Sequence, residues 1–252
     1  MKKKQYNNWI VSSHENFKTG INLGHKSINL SKTNFWHPLM SHYLLGIRNG
    51  IAIFNTQQTR KCLLRAFYII ALVLKSKGTL LLVNTNPEFF KICKNLTFQT
   101  EKNLSKKYKI LDSSSISYCC YKWVGGLLTN WKQISKSVLT FAKFSERCDK
   151  FLTKNNLDFP RYKKVKRCFE GLLSKKNGKV FLAFHEKPDL IFLMNPNENR
   201  NVIAEANKLH IPIIAIVESN TNLKGINFPI PANNYSANFI YFCVKKIIQI
   251  SK

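Results

Sequence analysis

The sequence predicts an α/β protein built on a parallel sheet, and three observations carry that prediction. Ile211 to Val217 is a continuous apolar run rich in β-branched residues, typical of a strand covered on both faces. Leu190 to Met194 is a second such run, followed directly by helix-start chemistry: Asn195 as a cap, Pro196 at the first helical position and Glu198 three residues after the cap. Strand-like and helix-like segments also alternate nearer the start, as parallel pairing requires.

In chain order, residues 1 to 50 are polar and aromatic with little periodicity, and predict a short helix and an irregular loop. Ile51 to Phe54 is a short strand candidate. Asn55 or Thr56 can cap the helix after it, whose Leu63, Phe67, Ile70 and Leu74 repeat at helical spacing until Gly78 ends it. Thr79 to Val83 is the next strand, and a helix is expected near Glu88 to Leu96. Towards the C-terminus, Val202, Ala206 and Leu209 mark one helix face, Phe228 to Ile230 a last strand, and Ile240, Val244, Ile247 and Ile248 a closing helix.

Between these blocks, Lys132 to Lys179 holds 14 Lys and Arg against Glu146, Asp149, Asp158 and Glu170, about +10 of the net charge. Ile134, Val138, Phe141 and Phe144 have helical spacing, with a break near Asn155 to Pro160, so two basic helices form a projecting hairpin. The expected organisation is residues 1–50 as an extension, 51–131 with 180–252 as the sheet domain, and 132–179 as the inserted hairpin.

The 252 residues carry 40 Lys and Arg but 13 Asp and Glu, a formal charge of +27, on a chain that is 44% hydrophobic and so rich enough in apolar residues to fold. A polyanionic partner is the simplest account of such self-repulsion. The longest wholly apolar run, Ala66 to Leu74, has nine residues, short of the roughly 20 a membrane span needs, so no membrane insertion is expected. The Lys-rich start leads into Gln5, Tyr6, Asn7 and Asn8, without the apolar stretch of a secretory signal or a convincing organelle import pattern. Seven cysteines without a C-x-x-C pair argue for reduced thiols, and the loose set His37, His42, Cys119 and Cys120 is a poor match to metal-ligand spacing. Lys, Asn, Ile and Phe make up 102 residues, a bias towards AT-rich codons that points to an organellar or reduced bacterial genome.

No dinucleotide fingerprint, phosphate loop or nucleophile elbow occurs, and the acids are too scattered to nominate a carboxylate pair. No catalytic residue, cofactor, metal or small-molecule substrate is therefore expected. The distinctive segment is Lys122-Trp123-Val124-Gly125-Gly126-Leu127-Leu128-Thr129-Asn130-Trp131. It reads as a sharp turn feeding a helix, with Thr129 or Asn130 as cap. One reading is a tight loop locking the hairpin to the sheet; the other is close backbone approach to a phosphate with aromatic stacking on nearby bases.

That segment, with Leu23-Gly24-His25, Gly46-Ile47-Arg48-Asn49-Gly50-Ile51, Pro188-Asp189-Leu190-Ile191-Phe192, Glu205-Ala206-Asn207-Lys208-Leu209, Ile211-Pro212, Ala215-Ile216-Val217 and Pro229-Ile230-Pro231, resembles the bacterial-type small-subunit ribosomal protein S2 family over nearly the full length. The resemblance implies a doubly wound, flavodoxin-like, five-stranded parallel sheet with a protruding helical hairpin. It also implies a structural role in the small ribosomal subunit, contacting small-subunit rRNA between head and body beside neighbouring ribosomal proteins. His25, Lys26, Arg48, Asn49, Lys122, Trp123, Gly125, Gly126, Thr129, Asn130 and Trp131 are the motif candidates for RNA binding; Arg161, Lys163, Lys164, Lys166 and Arg167 are the hairpin candidates. Where the family usually has acids, this chain has Asn195 and Ala232-Asn233-Asn234-Tyr235, and Glu218-Ser219-Asn220 stands for an Asp-Thr-Asn run. Divergence and composition together point to a mitochondrial matrix ribosome, with a plastid or bacterial cytoplasm as alternatives. The rival functions are an α/β nucleotide- or RNA-processing enzyme using the C-terminal sheet edge and a membrane-surface protein held by its basic hairpin.

Overall fold

A computed structural model describes residues 20–26, 36–89, 92, 116–155, 157–169, 172–176, 179–182 and 187–251. Its centre is a parallel sheet of five strands: β4 (Leu80–Asn84), β5 (Ile116–Cys120), β8 (Leu190–Leu193), β9 (Ile213–Val217) and β10 (Phe228–Pro231), in the order β10-β9-β8-β4-β5. Counted along these strands, that is the flavodoxin-like order 2-1-3-4-5. Alternate side chains enter two cores. Leu80, Leu82, Leu190, Phe192, Ile214 and Ile216 meet α1 (Thr56–Lys75) and α5 (Ala237–Ile250) on one face. On the other, Leu81, Val83, Ile191, Leu193, Ile213 and Ala215 meet Val202 and Ala206 of α4 (Arg200–Lys208) and Trp131 and Val138 of α2 (Trp131–Asn155).

The expected faces of α1 and α5 are buried as read: Leu63, Phe67, Ile70 and Leu74 in the first, Ile240, Val244, Ile247 and Ile248 in the second. Asn55 caps α1, its Oδ1 accepting from the Gln57 amide at 3.1 Å. Two readings are corrected. Ile51–Phe54 (β3) is not a strand of the parallel sheet. It is the centre of a three-stranded antiparallel sheet with β1 (Leu23–Lys26) and β2 (Leu44–Arg48), which replace part of the irregular loop expected there; residues 1–19 and 27–35 of that region lie outside the described residues. Asn195 does not cap α4: residues 196–198 are turns, Asn199 precedes the helix, and the Asn195 amide is engaged by Thr85 and Glu198. Ile134, Val138, Phe141 and Phe144 all lie on α2, as their spacing predicts; Val138 and Ala142 are buried there and Phe144 is 52% exposed. Of the helix expected at Glu88 to Leu96, the described residues show a 3₁₀ turn at Pro87–Phe89 and Ile92 in helical conformation; residues 90, 91 and 93–96 lie outside the described residues.

The basic middle forms α2 and α3 (Pro160–Phe169), then an antiparallel pair, β6 (Leu173–Lys176) and β7 (Lys179–Leu182). Asp149 joins the helices: it accepts from the Tyr162 hydroxyl at 2.7 Å and pairs with Lys166, while Phe141 contacts the Tyr162 and Phe169 rings. Among the described residues, no helix is long and apolar enough to cross a membrane.

The end of α1 separates two backbone demands. Lys77 takes the left-handed conformation, φ 61°, where a side chain is strained; Gly78 sits where a Cβ would lie 2.8 Å from Val73 Cγ1 and 3.0 Å from its carbonyl oxygen. Chemical denaturation should therefore show Lys77→Gly stabilising by about 1 kcal/mol and Gly78→Ala destabilising by about 1–3 kcal/mol. Equal effects of one sign would contradict this assignment.

Candidate nucleic-acid interface

The tryptophan segment is organised by one carboxylate. Glu205, on α4, accepts from the Trp123 indole N–H at 3.1 Å and the Gly126 amide at 2.8 Å through Oε1. Through Oε2 it accepts from the Leu128 amide at 3.0 Å and the Thr129 amide at 3.4 Å. A residue 76 to 82 positions away thus supplies the anion for a turn whose amides converge on one point. The turn requires Gly126, whose φ is 82°, and it closes through the Asn130 amide on the Gly126 carbonyl at 2.7 Å. Asn130 then opens α2, its carbonyl accepting from Gln133 and Ile134. Trp123 and Trp131 are 8% exposed and pack in the core under α4. Their rings are therefore structural, and the amides that could approach a phosphate are occupied by Glu205. Gly125, Lys122, Thr129 and Asn130 face solvent.

The remaining candidates occupy separate places. His25 and Lys26 are exposed on β1; the His25 amide donates to Ser219 Oγ at 3.2 Å, fastening the antiparallel sheet to the C-terminal edge of the parallel one. Arg48 and Asn49 are exposed at the turn between β2 and β3, where Asn49 and Gly50 both have positive φ, 52° and 71°, the geometry of a two-residue hairpin. On α3, Lys166 is drawn to Asp149, Lys163 pairs with Asp158 at 2.7 Å, and Arg167 lies over the Tyr121 ring, 5.7 Å from its centre. Arg161 and Lys164 are exposed and make no ion pair among the described residues. The structure therefore brings Lys122 to Trp131 together as one unit, with the end of α3 beside its start, where Arg167 lies over Tyr121 and Lys122 and Lys164 both act on the Cys168 thiol.

Two further features were not legible as site residues. A cleft of about 780 Å³ opens beside the start of α2, lined by Thr129, Asn130 and Lys132 on one side and by Lys187, His210 and Pro212, at the N-terminal ends of β8 and β9, on the other. At the opposite edge, where the strand order reverses between β4 and β8, the polar groups satisfy one another. The Asn199 side-chain amide donates to Thr85 Oγ1 and Asn195 Oδ1, both at 2.8 Å, and Asn195 donates to Glu198 at 2.8 Å. Beside them Glu218, 3% exposed, has its carboxyl pushed up to about 7 by burial. Tyr235 is raised too, by burial first and then by the Glu218 and Glu198 charges. This edge is the place where a doubly wound enzyme binds its ligand; here the side chains of Thr85, Asn195, Glu198 and Asn199 engage one another.

Comparison with known proteins fits this geometry. The family described as ribosomal protein S2 matches residues 17–251. The chain is 35% identical to a small ribosomal subunit protein uS2m of Marchantia polymorpha, over 98% of this chain and 94% of that protein. It is 31% identical to a uS2 of Novosphingobium aromaticivorans, over 92% and 82%, and 31% identical to a uS2 of Ehrlichia ruminantium (strain Gardel), over 91% and 72%.

Glu205→Ala strands four donors and should cost on the order of 3 kcal/mol in chemical denaturation, with faster hydrogen exchange at the Gly126 and Leu128 amides. Unchanged exchange there would contradict the anchor. Glu218 makes stability depend on pH. Its folded pKa lies above the ordinary value of 4.5, so its contribution is fully present below that value and is lost as pH rises through about 7. Glu218→Gln should flatten the fall in stability across that window, a difference of up to about 3 kcal/mol; parallel curves for the two proteins would contradict it.

Proposed function

The chain belongs to the ribosomal protein S2 family, a family of structural components of the small ribosomal subunit rather than enzymes, and from that premise we propose that it binds small-subunit rRNA between head and body of a mitochondrial ribosome. Binding is by phosphate neutralisation and shape, with neighbouring ribosomal proteins as further partners. The observation that carries this reading is the hairpin. Its 14 basic residues face four acids, and two of those acids are already paired, Asp149 holding α3 and Asp158 its own neighbour Lys163. Arg161 and Lys164 on α3, with Lys136, Lys143, Lys150 and Lys154 on α2, present their charge to solvent. RNA supplies the missing counter-charge along such a rod, and counterion release supplies the affinity.

His25, Lys26, Arg48 and Asn49 form a second exposed basic and polar surface, on the antiparallel sheet. In this reading the antiparallel sheet and the hairpin hold two separate stretches of RNA, and the sheet domain sets the distance between them. Lys122, Gly125, Thr129 and Asn130 are the motif residues available to RNA, while Trp123, Gly126 and Trp131 act by shaping the hairpin base. The mitochondrial setting is supported by the uS2m relative and by the Lys-, Asn-, Ile- and Phe-rich composition.

In gradient fractionation at low salt the chain should migrate with the small subunit; sedimentation solely as free protein would overturn the reading. Replacing Arg161, Lys163, Lys164 and Arg167 by Gln should lower the slope of log affinity against log salt by about 0.7–0.9 for each phosphate that is no longer neutralised. An unchanged slope would show that these side chains do not meet phosphates.

A further inference from the structure

We propose that the outer face and tip of the helical hairpin form a base-stacking platform for unpaired rRNA nucleotides, with Phe151 and Phe159 as the stacking rings. This rests on the rRNA-binding reading and assigns the class of RNA the hairpin takes. Both tryptophans of the motif are buried, so aromatic recognition of bases must come from elsewhere. Among the residues whose side chains are described, the exposed phenylalanines are three, Phe144 at 52%, Phe151 at 60% and Phe159 at 52%, and all lie in the hairpin. Phe144 is held in place by an edge contact with Tyr162, ring centres 6.3 Å apart. Phe151 and Phe159 have no ring contact among the described residues and are exposed to solvent.

The pattern around them selects the partner. Phe144, Arg147, Phe151 and Lys154 follow at three- and four-residue steps along α2, so aromatic and cationic groups alternate in one stripe. Phe144 and Phe151 are separated along the axis by two turns, about 10.5 Å. A helix that docks into a protein groove adds further apolar residues one turn from its anchors; one turn from Phe151 on α2 stand Arg147, Lys154 and Asn155, all exposed, and the further exposed apolar residue, Leu157, lies beyond the helix at the tip. At the tip, Phe159 is followed by Pro160 and Arg161, and Lys163 donates its amide to the Phe159 carbonyl at 3.1 Å, which fixes the turn that presents the ring. Unpaired RNA satisfies both kinds of group at once: phosphates pair with the cations, and every base offers a π-face of any sequence.

The test uses the full-length chain and a transcript of the small-subunit rRNA, with affinity measured across a salt series and a fully paired RNA duplex as control. The double variant Phe151→Ala, Phe159→Ala should bind the transcript about tenfold more weakly per ring, with an unchanged salt slope and unchanged binding to the duplex. Trp at both positions should restore affinity and Leu should not. Thermal unfolding of each variant should match the parent, since both rings are exposed. Parent-level affinity of the Ala variant, or equal rescue by Leu and Trp, overturns the platform. So does a photo-reactive side chain at 151 that cross-links to a ribosomal protein rather than rRNA in reconstituted subunits. If the parent chain binds the transcript steeply in salt while the Ala variant is unaffected, the platform alone falls. If the parent chain does not bind the transcript at all, the rRNA-binding reading falls with it.

Discussion

The hydrogen bonds converging on the Glu205 carboxylate are the constraint on which the rest of the molecule depends. A 25-residue basic helix, α2, has little reason to hold a fixed direction on a sheet when it buries few residues of its own. Three backbone amides and one indole N–H aimed at a single anion supply that reason. The carboxylate fixes the turn, the turn opens the helix, and the buried Trp123 and Trp131 rings seat its base against α4. The same acid also offsets part of the positive charge at the helix start, where an anion is favoured.

From this anchor the charge acquires a geometry. Residues 188 to 252, the C-terminal half of the sheet, carry six basic and four acidic residues, close to balanced, and the polar edge at β4 and β8 is closed by Thr85, Asn195, Glu198 and Asn199 bonding to one another. The hairpin holds about +10 of the +27, outside the core, and residues 1–131 hold most of the rest. Self-repulsion along the hairpin is tolerated because α2 and α3 are joined by the Asp149 interactions with Tyr162 and Lys166 and by the ring contacts of Phe141. Two acids of the hairpin are thus taken up by its internal construction, which leaves the outward cations without local partners.

Much of this architecture was legible. The runs at Leu190 and Ile211 identified the central strands, because a strand buried on both faces cannot hide its composition. The helix faces of α1 and α5 were legible for the same reason. The Asn49-Gly50 turn between two apolar segments is a hairpin signal, and it was missed because residues 1–50 lack a clear period; with it, the antiparallel sheet was within reach. Strand β5 was hidden by its polar Ser117 and two adjacent free cysteines. The cap at Asn195 had all the right residue types, yet tertiary bonding to Thr85 and Glu198 outweighed local preference and moved the helix start to Asn199. Glu205 stood in a recognised motif, but nothing in a sequence states that a helix residue will reach a turn some 80 positions earlier. The exposed rings of Phe151 and Phe159 were likewise invisible, because helical spacing does not reveal which face lacks a partner.

A density map of the small subunit assembled with this chain would test the account most directly. It should show the Glu205 carboxylate on the Gly126, Leu128 and Thr129 amides, with rRNA phosphates against the outer lysines and arginines of α2 and α3. A phosphate seated on those amides with Glu205 turned away, or a hairpin projecting into solvent clear of RNA, would contradict it.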